Sequence, residues 1–118
     1  MTLLASIDEE RRGGLTIARV QGEIDASNTA WIGSRLRALL TNHSDALAVD
    51  LSETTYLDSA GIALLFALGD ELRLHQQRLH LIVTDGSPIK RMVALTGLDQ
   101  AVRTHPTLDA ALAEAGGG

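Results

Sequence analysis

Cysteine is absent from this chain, which excludes disulfides, thiol redox switches and cysteine-based zinc sites together. Aromatic residues are nearly as scarce, one each of Trp, Tyr and Phe, so any core is assembled from Leu, Ile, Val and Ala. A basic excess is missing too. Ten Lys and Arg stand against fifteen Asp and Glu, a net charge of −5 with a pI near 5.2, and no face can gather the positive charge that nucleic acid requires. The opening segment Met1–Glu10 has neither a basic leader nor a long apolar run, so the expectation is no export, no membrane insertion and a cytoplasmic location. No repeat, linker or low-complexity tract divides the sequence. What is present is ordinary for a folded protein: 118 residues, 45% hydrophobic and 21% charged, enough for one core. A single domain over 1–118 is expected, with 115–118 as a frayed tail.

Read in order, Leu3–Ile7 and Leu15–Val20 have the pattern of two strands, and the charged and glycine-rich segment Asp8–Gly14 that of the turn between them. Gly22-Glu23-Ile24-Asp25 is expected to leave the sheet. Asp25 or Ser27 can cap a helix to about Leu40, with Trp31, Ile32, Leu36, Leu39 and Leu40 on its buried face. Thr41–Ser44 is a polar break before the apolar strand Ala46–Leu51. A second helix is expected from Ser59 to about Gln76, with Ile62, Leu65, Phe66, Gly69 and Leu72 toward the sheet. Leu64 and Leu68 lie on another face, covered either by a neighbouring element or by a partner. Arg78–Val83 reads as a strand. Ser87-Pro88 caps a third helix with Ile89, Met92, Val93 and Leu95 inward and Gly97 as its stop. A short edge strand at Val102–Thr104 and a last helix capped at Thr107 complete an α/β domain. Its mixed sheet of four or five strands carries helices mainly on one side.

The most informative stretch is Leu57-Asp58-Ser59-Ala60-Gly61, which opens directly into an apolar helix. Asp58 is a strong N-cap candidate, able to accept a hydrogen bond from the backbone N–H of Ala60 or Gly61. Ser59 then stands on the first turn, beside free N–H groups and the positive end of the helix dipole. A phosphate there meets favourable electrostatics, and Gly61 would let a second backbone approach.

Catalysis finds less support. The turn differs from the nucleophile elbow Gly-x-Ser-x-Gly by the leucine at its first position, where strain demands a small residue. A small serine hydrolase is therefore a remote reading. The four histidines lack any metal-ligand spacing and are expected at surface or boundary positions, so neither metal nor cofactor is expected. Asp50 is expected as a strand-end residue entering a loop, and no phosphate-binding glycine loop occurs.

Taken together and in order, Gly22-Glu23-Ile24-Asp25, Val49-Asp50-Leu51, Leu57-Asp58-Ser59-Ala60-Gly61 and Ser87-Pro88 with Leu95-Thr96-Gly97-Leu98 resemble a STAS domain. The subgroup most similar is the bacterial anti-sigma factor antagonists. The resemblance implies a partner-switching regulator of sigma-factor-dependent transcription, of the kind met in stress response and sporulation, and not an enzyme. It implies an anti-sigma factor serine kinase that uses ATP as partner, and a metal-dependent serine phosphatase that resets the switch. Ser59 is the implied phosphorylation site. The implied contact surface comprises Asp25, Ser27, Asp58, Ala60, Gly61, Leu64, Asp85, Gly86 and Ser87, on a monomer or weak homodimer. Ala60 replaces a second hydroxyl found in many members, and Ala63 a glycine found in several. A related reading is a STAS accessory subunit of a lipid-transporting ATPase, in which a similar turn packs without being phosphorylated.

Overall fold

Two adjacent glycines at positive φ, Gly13 at 53° and Gly14 at 83°, reverse the chain and set the first hairpin. In the computed structural model, which describes residues 4–40 and 46–116, β1 (Ala5–Arg12) pairs antiparallel with β2 (Leu15–Ile24). Both strands outrun their sequence signal. The charged run Asp8–Arg12, expected in the turn, is strand, because β1 is an edge strand whose polar side chains remain in water. Gly22-Glu23-Ile24 likewise stays in the sheet. Gly22, at φ 103°, sits at a register shift in β2, and a Cβ there would overlap the Leu4 carbonyl.

The strands β3 (Ala46–Asp50), β5 (Arg78–Ile82) and β6 (Arg103–His105) add in parallel, giving the order β1-β2-β3-β5-β6. β3 is buried along its whole length, the reason its sequence is apolar without alternation. A strand absent from the sequence reading, β4 (Thr54–Leu57), pairs parallel with the end of β2. β3 follows β2 along Leu15–Arg19 and β4 follows it along Gly22–Ile24, so the chain accompanies β2 in two steps. Thr54 Oγ1 anchors the second step by donating to the Val20 carbonyl at 2.8 Å. The sheet thus has six strands among the described residues, not four or five. Four residues, Thr-Thr-Tyr-Leu, are too few for alternation to declare a strand.

Helices α1 (Thr29–Leu39), α2 (Ser59–Leu74), α3 (Pro88–Thr96) and α4 (Leu98–Ala101) lie on one face and α5 (Leu108–Gly116) on the other. Strand alternation divides the core between them. Leu47, Val49, Leu79 and Leu81 meet α1–α4, whereas Leu15, Ile17, Ala48 and Ile82 meet α5. The caps expected on α3 and α5 form. Ser87 Oγ accepts from Lys90 N at 3.1 Å, Gly97 is left-handed at φ 78°, and Thr107 Oγ1 accepts from Ala110 N at 3.1 Å.

Three apolar faces differ from expectation. On α1 the buried stripe is Ile32, Gly33 and Leu36, and Trp31 is 42% exposed. On α2 the fully covered residues include Leu68, while Phe66 is half-buried at the core margin. Leu64 packs toward α1, where a Cβ on Gly33 would lie 2.9 Å from it. A neighbouring helix, then, covers the second leucine face. On α3, Leu95 is exposed to solvent, one residue off the Ile89–Val93 stripe. The expected tail begins inside α5, which runs to Gly116. Leu3, the break Thr41–Ser44, and residues 117–118 lie outside the described residues.

Candidate functional site

Because β2, β3, β4, β5 and β6 are mutually parallel, the segments that follow them leave the sheet at one edge. That topology collects the Asp25–Asn28 loop after β2, the Asp58-Ser59 turn after β4 and the Asp85–Ser87 loop after β5. The adjacent ends of β2 and β4, paired at Ile24 and Leu57, put the first two in direct contact.

Asp58 joins them. One carboxylate oxygen accepts from Gly61 N at 3.0 Å, the N-cap bond that starts α2. The other accepts from Ala26 N at 3.2 Å across 32 positions of sequence. The Asp58 backbone N–H is itself bound to the Ile24 carbonyl at 3.2 Å. Asp58 is therefore a half-buried structural clamp with both oxygens engaged. Ser59, the first residue of α2, is exposed beside it.

Neither Asp25 nor Ser27 caps α1, whose N-cap position is Asn28. Asp25 Oδ1 accepts from Ser27 N at 2.8 Å and from Ser27 Oγ at 2.5 Å, closing a local turn. Those two bonds, the hydroxyl first, hold its carboxyl below the ordinary carboxylate range. Sequence reading missed Asn28, which locks the loop from inside. Asn28 Oδ1 accepts from Asp25 N at 3.0 Å and Nδ2 donates to the Glu23 carbonyl at 2.8 Å. Asn in a turn before a helix is the signal that was available. The exposed Trp31 and Tyr56 flank the same edge on α1 and β4. Trp31 could have been placed outside by holding strictly to the Ile32–Leu36 spacing.

Gly61 has a different role from the one expected. It is buried, and a Cβ there would strike Leu57 Cδ1 and lie 2.9 Å from Ile24 Cγ2. The space it leaves is filled by this chain and is not open to a second backbone. Leu64 is half-buried against α1, behind the turn. Ala60 is half-buried, and Asp85 and Gly86 are exposed with Ser87 half-buried. Their bonds are local: Asp85 pairs with Lys90, and Ser87 N donates to the Thr84 carbonyl at 3.2 Å. The Asp85–Ser87 loop shares the edge with Ser59 but is organised by α3.

Two polar positions depart from expectation. Asp50 is buried, not merely a loop-entry residue: Arg19 Nε donates to it at 3.2 Å and its Oδ1 accepts from Ser52 N at 2.9 Å. His80 and His105 are also buried, under α5, whereas His75 is exposed and His43 lies outside the described residues. No described histidine can serve Ser59 as a base. His80 and His105 lie on the α5 side of the sheet, and His75 ends the 16-residue α2 that Ser59 begins, about 24 Å along the axis.

A family model for the STAS domain matches residues 6–111. The chain belongs to the STAS domain family. It is 30% identical over 105 residues to anti-sigma-F factor antagonist RsfB of Mycobacterium tuberculosis, covering 89% of this chain and 84% of that one. The crystal structure of an anti-sigma factor antagonist from Mycobacterium paratuberculosis superposes with a TM-score of 0.83 at 28% identity, covering 93% and 92% of the two chains. The phosphorylated form of the Bacillus cell fate determinant SpoIIAA, at 18% identity, shares the fold with a TM-score of 0.66 over 93% and 99%. No described helix of this STAS domain is long and apolar enough to cross a membrane.

Proposed function

We propose that this STAS domain is an anti-sigma factor antagonist, a binding protein and not an enzyme, switched by phosphorylation of Ser59. The observation that carries the reading is the exposed Ser59 hydroxyl on a turn clamped by Asp58, in a chain 30% identical to a curated anti-sigma-F factor antagonist. That similarity favours the antagonist over an ATPase accessory subunit.

The electrostatics allow a phosphate in the free domain. Ser59 occupies the first turn of α2, where unpaired N–H groups and the helix dipole offset negative charge. In a complex, the same group would be pressed against a partner beside Asp58 and Asp25. Desolvation and like-charge repulsion then oppose binding. Asp25, Ser27, Asp58 and Ala60, with Trp31 and Tyr56 at the margins, make up the contact surface. The Asp85–Ser87 loop extends it past β4. The anti-sigma factor is a serine kinase, and a metal-dependent phosphatase restores the binding form.

The test is incubation with the anti-sigma factor kinase of the host and ATP, followed by mass spectrometry and affinity measurement. Ser59 takes the phosphate. Ser59→Ala binds without being modified, and Ser59→Asp binds more weakly at unchanged thermal stability. Phosphate on another residue, or wild-type affinity for Ser59→Asp, refutes the mechanism.

A further inference from the structure

His80, His105 and Glu114 come from two strands and a helix, and their spacing in sequence does not mark them as a set. The fold gathers them. Parallel pairing of β5 with β6 puts His80 opposite Arg103 and Ile82 opposite His105. Both imidazoles therefore point from the sheet face covered by α5, and α5 brings Glu114 over them. His80 Nδ1 lies 3.0 Å from His105 Nε2, which lies 3.1 Å from Glu114 Oε2. One ligand atom from each of the three residues falls within 4.8 Å of the others. Arg103 Nε donates to Glu114 Oε1 at 2.6 Å, so the second carboxylate oxygen is left facing the imidazoles.

Protons alone satisfy this cluster poorly. His105 Nε2 carries at most one hydrogen and meets an acceptor on two sides. If the hydrogen is on His105, two acceptors share it. If it is on His80 Nδ1, a lone pair of His105 is turned against a carboxylate. A cation between the three meets every lone pair at once. Two of the three separations, 3.0 and 3.1 Å, approach the roughly 3.4 Å edge of a tetrahedron with bonds of about 2.1 Å, and all three ligand atoms lie within 4.8 Å of one another. Burial, followed by the neighbouring His105, lowers the His80 pKa.

We propose that His80, His105 and Glu114 bind a divalent transition-metal ion, with Zn²⁺ the ion best suited to two imidazoles and one carboxylate. Calcium and magnesium prefer all-oxygen sites, and no cysteine is present to select a softer ion. Three protein ligands leave one position for water or an exogenous ligand. The bound ion would tie β5, β6 and α5 together on the sheet face opposite α2. It is thus a site separate from Ser59.

The experiment titrates the tag-free, chelator-stripped full chain with Zn²⁺ against a fluorescent indicator, and with Co²⁺ by visible absorption. The expected result is one equivalent bound, the intense bands of four-coordinate Co²⁺, and a Tm that rises with free Zn²⁺. His105→Asn and Glu114→Gln should each weaken binding by about 10-fold or more, while His75→Ala leaves it unchanged. Where His105→Asn fails to fold by circular dichroism, Glu114→Gln, at a half-buried position, decides. Absence of saturable binding overturns the proposal, as does binding that survives the decisive substitution in a folded protein or is lost with His75→Ala.

Discussion

At the scale of single residues, the Asp58-Ser59-Ala60-Gly61 turn divides its labour by direction. Asp58 and Gly61 face inward and hold α2 to β2 and β4, while Ser59 faces out. A methyl group at position 61 has to displace Leu57 or Ile24. Gly61→Ala should therefore cost about 1–3 kcal/mol, the usual range for overpacking, read as a lower urea midpoint at unchanged m-value. Asp58→Ala removes a helix cap, worth about 0.5–2 kcal/mol, together with the bond to Ala26. It should destabilise the domain and also loosen the Asp25–Asn28 loop, visible as faster amide exchange at Ala26. Ser59→Ala should do neither, which separates the clamp from the displayed hydroxyl.

Among the elements, the α1–α2 contact is the one that sequence periodicity leaves open. Leu68 is fully buried in the core and Phe66 is half-buried against it. Leu68→Ala should cost about 2–5 kcal/mol, and Phe66→Ala less, about 1–2 kcal/mol for a half-buried ring. Chemical denaturation of the two variants checks the order, and a larger loss at Phe66 would contradict this packing. The rim of the same contact carries a two-point ion pair. Arg37 Nε donates to Glu71 Oε2 at 2.7 Å and Nη2 to Oε1 at 3.1 Å. Hydrogen bonding to Arg37 holds the Glu71 carboxyl below the ordinary range. A lowered folded-state pKa gives stability that is present above the unfolded value, about 4.3, and lost as the pH falls through the folded value. Glu71→Gln should flatten that acid limb, by less than about 1 kcal/mol because both groups are half exposed.

For the molecule as a whole, α5 is the only described helix on its face of the sheet, and Leu108, Ala111, Leu112 and Ala115 cover Leu15, Ile17, Ala48 and Ile82. Truncation after Pro106 should uncover that second core, giving strong binding of a hydrophobic dye and loss of a cooperative thermal transition. A sharp, cooperative melt for the truncated chain would show that α5 is dispensable. The net charge of −5 opposes association with nucleic acid even though the proposed role is in transcription. A gel shift at low salt should show no tight, salt-sensitive binding to DNA.

The sequence by itself determined what is local. The Gly13-Gly14 turn, the Ser87-Pro88 and Thr107 caps, the Gly97 stop and the display of Ser59 on a capped first turn each depend on residues within a few positions. Their signals are dihedral preferences and short-range hydrogen bonds. The order of motifs also carried the family. Only the tertiary structure decided what depends on partners far along the chain. β4 exists because the end of β2 offers it a ladder, and four residues hold no periodic signal of their own. Trp31 and Leu95 are exposed because their helices meet the sheet along narrower stripes than their apolar content suggests. Gly61 serves its own core, since Leu57 and Ile24 fill the space it leaves. The convergence of His80, His105 and Glu114 arises from strand register and from the placement of α5, neither of which is encoded in the spacing of those three residues.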